Sequence, residues 1–147
     1  HAYVAGLLHD IGRLIFATRF QALFQATLSY QEAHDCHLLD AERAVLGLDH
    51  GSAGLALTQH WKFPSAIQHA VSGHHALQLD NTQPLTRVVM AANAVVHALD
   101  LSGEPHDLVP VLPMGFWHDF GVADPVLFEI FKSTEKKFAI ASQLLAT

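Results

Sequence analysis

Two neighbouring residues, His9 and Asp10, stand inside an apolar stretch that runs from Tyr3 to Phe16, and they are the most informative local feature of the chain for chemistry. A carboxylate placed on such a helix loses hydration, so it needs a hydrogen-bonding partner or a metal ion to offset the loss. Adjacent side chains on a helix point about 100° apart. His9 and Asp10 could therefore straddle one cation or ligate two adjacent ones, or they could form a hydrogen-bonded core pair without metal. Histidine is the unusual feature of the composition, with 12 in 147 residues, and it is both the commonest metal ligand and the side chain that titrates near neutrality. Further along, His50 follows Asp49 in Gly47-Leu48-Asp49-His50-Gly51, and His74 and His75 follow Gly73. A first-turn histidine such as His50 could pack against Trp61, and imidazoles at a helix C-terminus such as His74 and His75 can simply meet the last carbonyls.

The elements that must position these residues follow from periodicity. Val4, Leu7, Leu8, Ile11 and Ile15 form one broad stripe, which predicts a single, largely buried helix over residues 3–16. It starts abruptly, without a cap box, and the chain reads as one domain entered partway, cut short at its N-terminus. A second helix is expected over 20–33 on Leu23, Phe24 and Leu28, and a third over 41–46, ended by Gly47. Asp49 is placed to cap a helix from His50 to about Trp61, and Pro64-Ser65 to open another that reaches Gly73, with Trp61 packing to set the angle between the two. After a polar loop with Asp80, Asn81 and Pro84, a long helix covers 85–101 with Val88, Val89, Ala92, Val96 and Leu99 inward. Residues 102–124 read as an irregular connection that could hide a short helix near 112–120. A last helix, 125–145, carries Leu127, Ile130, Phe131, Phe138 and Leu144-Leu145 on a stripe suited to a core or to a docking face. No segment alternates with period two, so the fold class is all-α, a compact bundle of six to seven helices.

The order Leu7-Leu8-His9-Asp10-Ile11-Gly12, then Glu42, Gly47-Leu48-Asp49-His50-Gly51, Trp61-Lys62-Phe63-Pro64 and Gly73-His74-His75 resembles the HDOD family, a branch of the HD superfamily of metal-dependent phosphohydrolases. The resemblance covers about residues 3–100. It implies an HD-type helical bundle used by bacteria in signal transduction. It also implies metal-ligating roles for His9 and Asp10, which match the His-Asp pair, and for His50, His74 and His75, which match the three histidines added in two-metal members. The upstream histidine of HD hydrolases would lie before residue 1, and Asn93 stands where their final aspartate is expected. Asn is neutral and a poorer ligand, so the first metal position is compromised, while Asp10, His50, His74 and His75 keep a set that suits one Fe, Mn or Zn. The Gly-Tyr-Pro signature of cyclic-dinucleotide phosphodiesterases is absent; Ala76-Leu77-Gln78-Leu79-Asp80 stands in its place. Arg13 takes the position of the usual lysine and could hold a phosphate. Asn93 and His97, one turn apart, are expected to face the pocket and share a hydrogen bond.

These points imply a regulatory output module rather than a working hydrolase, whose partners are other signalling domains or proteins and whose pocket could take a nucleotide-like ligand. The alternative is a phosphohydrolase or cyclic-dinucleotide phosphodiesterase working from the partial site. A net charge of −6, with only 8 Lys plus Arg, argues against nucleic acid. No apolar run is long enough for a span, and the lone Cys36 suits a reducing cytoplasm.

Overall fold

The computed structural model describes residues 1–78, 83–103, 106 and 108–145. Among them it holds nine helices and no strand: α1 (Ala2–Leu8), α2 (Ile11–Arg19), α3 (Gln21–His34), α4 (Leu38–Leu46), α5 (His50–His60), α6 (Ser65–Gly73), α7 (Pro84–Ala98), α8 (Phe116–Asp119) and α9 (Asp124–Leu145). The all-α expectation holds. The loop expected around Asp80 and Asn81 lies outside the described residues.

Local chemistry sets most of the boundaries. Gly47 ends α4 at φ 76°, the left-handed conformation that glycine adopts without steric cost. The Asp49 side chain accepts from the Ser52 backbone N–H at 2.8 Å and so caps α5. Pro84 opens α7 at a position where its missing N–H costs nothing.

The single helix expected over 3–16 is instead two, broken at His9-Asp10. Asp10 takes φ −100° and ψ 16°, which turns its carboxylate inward and restarts the chain as α2. The stripe is also less buried than its period suggests: Ala5, Gly12 and Phe16 are inside, whereas Val4 is exposed and Leu7 is 69% exposed.

One core cluster joins Ala5 of α1, Ile67, Ala70 and Val71 of α6 and Val89 of α7, with Leu8, Ile11, Phe63 and Leu85 packed around it. A second joins Met90 and Ala91 of α7 to Phe116 of α8, so the short helix in the 102–124 connection is a packed element. In α7, Val89 is buried as expected, but Val88 and Ala92 face out while Met90, Asn93 and Ala94 face in. Trp61 does not pack between α5 and α6. It is 53% exposed, and Phe63 fills that role after a left-handed turn at Lys62.

Helix α2 meets α5 so closely that a Cβ on Gly12 would run into the His50 carbonyl oxygen. Only glycine fits there. That contact brings the N-terminus of α2, with Asp10, against the N-terminus of α5, with His50.

Candidate metal centre

Four residues from three places in the chain converge: Asp10 before α2, His50 at the start of α5, and His74 and His75 after α6. Each offers one ligand atom, and these atoms all lie within 4.8 Å of one another. Nε2 of His50 lies 3.3 Å from Nε2 of His74, 3.0 Å from Nε2 of His75 and 3.3 Å from Oδ1 of Asp10. Nε2 of His74 is likewise 3.3 Å from Oδ1 of Asp10. The alternative of His50 packed on Trp61 is excluded, because His50 is fully buried in this cluster.

The protons of two rings are committed elsewhere. His50 Nδ1 lies 2.6 Å from Oε2 of Glu42, an oxygen that accepts, so the proton sits on Nδ1. His74 Nδ1 donates in the same way to the Val71 carbonyl at 2.9 Å. This is the helix-end carbonyl contact expected of a histidine there, and it leaves Nε2 turned toward the cluster. Burial pushes the His74 imidazole below its usual range, more than the Asp10 contact raises it. Burial and the neighbouring His74 and His50 push His75 down to about 2. Burial works against the Asp10 charge too, but the His74 contact, Arg13, His9 and His50 outweigh it and hold the carboxyl well below the usual carboxylate range.

The cluster thus collects imidazole nitrogens and a carboxylate oxygen at separations that a shared proton or a cation between them would bridge. The donor set fits a cation. Four bonds of ~2.0–2.1 Å at tetrahedral angles would separate ligand atoms by ~3.3 Å. The Glu42–His50 hydrogen bond is the kind of outer contact that orients a metal-binding histidine.

Of the other expected residues, His9 and Arg13 adjoin this set. His9 stands beside it, with Nδ1 2.7 Å from the Gly6 carbonyl oxygen, Nε2 3.5 Å from Oδ2 of Asp10, and its ring edge-on to His74. Arg13 pairs with Oδ2 of Asp10 at 3.1 Å. Asn93 is buried on α7. His97 joins Arg13, His75, His37, Asp40 and Arg43 on the wall of a cavity of about 400 Å³, closed on its apolar side by Leu38, Leu39, Leu108, Pro110 and Val111.

Two functional features escaped sequence reasoning. Glu42 was legible only as part of a motif, and its inner-face position follows from α4 starting at Leu38, earlier than the helix expected over 41–46. The cavity wall was not legible, because it joins α4 to the 108–111 segment, far apart in sequence.

Comparison with known protein families matches residues 1–77 to the HDOD domain. Over 121 residues the chain is 28% identical to an uncharacterized protein of Treponema pallidum (strain Nichols), covering 79% of this chain and 23% of that relative. The chain thus spans under a quarter of the length of the curated relative it matches. No solved structure matches it. None of the described helices is long and apolar enough to cross a membrane. The matched segment contains the break at His9-Asp10, the capped start of α5 and both histidines after α6, and the chain belongs to the HDOD domain family.

Proposed function

We propose that this chain is a regulatory output module that holds one divalent transition cation on Asp10, His50, His74 and His75 without hydrolytic turnover. The observation that carries this reading is the convergence of four ligand atoms with two ring protons committed to Glu42 and Val71. Four of the six ligand-atom separations are 3.0–3.3 Å, the spacing of neighbouring donors around one cation, and all lie within 4.8 Å. Asn93 in place of a carboxylate adds support, since it withholds the charge that a second cation would need. Three imidazoles and one carboxylate suit Zn, Fe or Mn. When bound, such a cation would supply folding free energy and a fixed positive charge at the cavity wall.

The same reading includes a soluble cytoplasmic setting and partners among other signalling domains. The greater length of the relative and the exposed apolar side chains of α9 support the second point. A nucleotide-like ligand fits the mix of Arg13, Arg43 and apolar side chains around the cavity.

The second reading is a metal-dependent phosphohydrolase, favoured by one observation: His75 and Arg13 both line the cavity, so a phosphate could reach the cluster. Elemental analysis of the purified chain, with cleavage assays on a cyclic dinucleotide and a simple phosphoester, separates the two. The regulatory reading expects about one transition metal per chain, lost in Asp10→Ala, and no cleavage. Metal-dependent cleavage that disappears in Asp10→Ala would establish the hydrolase instead, and a wild-type chain free of metal after growth with Zn, Fe and Mn would remove both.

A further inference from the structure

We propose that Glu42 is a positioning residue for the cation site: its buried carboxylate fixes the His50 proton on Nδ1, aims Nε2 at Asp10, His74 and His75, and strengthens His50 as a ligand. This rests on reading those four residues as a cation site.

Glu42 lies on the inner face of α4 and is fully buried, as is His50. One of its oxygens, Oε2, accepts both the His50 backbone N–H at 2.8 Å and the His50 Nδ1–H at 2.6 Å. Two donors of one residue held by one oxygen fix the imidazole plane relative to the start of α5. The next residue of α4 grips the preceding residue of that turn, since Arg43 Nε and Nη2 lie 2.9 and 2.8 Å from Oδ2 of Asp49. Consecutive side chains of α4 therefore clamp consecutive residues at the start of α5.

The charge has an equally specific direction. Among the described residues Oε1 of Glu42 has no hydrogen-bond partner, so the contacts of the carboxylate are spent on His50. A buried carboxylate needs compensating positive charge, and here that charge is available across the ring, at Nε2. A carboxylate behind a metal-bound imidazole raises its basicity and fixes its tautomer. Helix α4 also supplies Leu38, Leu39, Asp40 and Arg43 to the cavity wall, so Glu42 links that wall to a cation ligand.

The test uses the full chain, titrated with Zn2+ by calorimetry and with Co2+ by visible absorption, together with 15N NMR of the His50 ring in metal-free protein. Glu42→Gln keeps shape and an acceptor but removes the charge. It is expected to weaken Zn2+ binding about 10- to 100-fold and to shift the Co2+ absorption. Affinity within twofold of wild type with an unshifted Co2+ band would overturn the proposal. Glu42→Ala removes the acceptor, and the His50 15N pattern should change from a pure Nδ1–H form to a mixture of tautomers. An unchanged pattern would overturn the positioning role. If Glu42→Ala does not fold, Glu42→Gln decides alone. A wild-type chain that binds neither ion overturns the cation reading and the ligand-strengthening half of the proposal, and the 15N pattern of Glu42→Ala beside wild type then decides the positioning half.

Discussion

The packed region from α1 to α6 and the last helix, α9, invert each other's chemistry. Glu42, His50, Thr58 and His74 are all buried to within 2% of complete exclusion, while on α9 Phe128 is 61% and Leu144 73% exposed. Burying a polar group without partners costs a few kcal/mol, so the first region is stable only because its polar atoms answer one another or a cation. Leaving apolar side chains in water forgoes burial free energy, and α9 draws little stabilisation from the rest of the fold. One region is held in part by a network of Glu42, His50, His74 and Asp10 whose contacts run from one member to the next. The other is a helix whose substitution should be nearly free.

The largest effect that would break this contrast is expected from His50→Ala. It leaves Glu42 buried without its partner and removes the central ligand, so urea unfolding should show a loss of about 3–5 kcal/mol together with loss of Zn2+ binding. Near-wild-type stability would show that the network is not interdependent. In the wild type, free Zn2+ at 100 times its Kd should add about 2.7 kcal/mol of stability, reversed by chelator, and thermal melts at matched concentrations would reveal its absence. Gly12→Ala should cost about 1–3 kcal/mol by forcing α2 away from α5, and should weaken the cation in parallel. If stability falls while affinity stays, the helix contact does not set the ligand spacing.

A smaller loss, about 1 kcal/mol, is expected for Asp49→Ala, which removes the α5 cap while leaving the four ligands in place. The smallest effect belongs to α9: Phe138→Ser should change stability by less than about 0.5 kcal/mol at low protein concentration. A loss above 2 kcal/mol would mean that the helix is packed in solution, and the comparison would fail.

What could be read from the sequence divides along the range of the interaction involved. The stop at Gly47, the cap at Asp49 and the proline start of α7 are local, and each was legible from one or two residues. The break at His9-Asp10 was not, because Leu7, Leu8 and Ile11 keep the helical period through it. Its cause is tertiary, the inward turn of Asp10 toward His50 and His74. The four ligands were legible through the family resemblance, since no local pattern brings Asp10 beside the start of α5 and the end of α6. Trp61 misled for a related reason: size suggested packing, but the turn at Lys62 points it outward and gives its place to Phe63.

The meeting of Gly12 with the His50 carbonyl has a consequence for how the site responds to change. The span between Asp10 and His50 is set at Gly12 by main chain against main chain. Substitutions in the surrounding core can loosen or repack side chains without altering that span, so the first two ligands keep their bite while the rest of the domain drifts. Position 12 is the exception, a place where a single methyl group would meet the His50 carbonyl and reset the jaw.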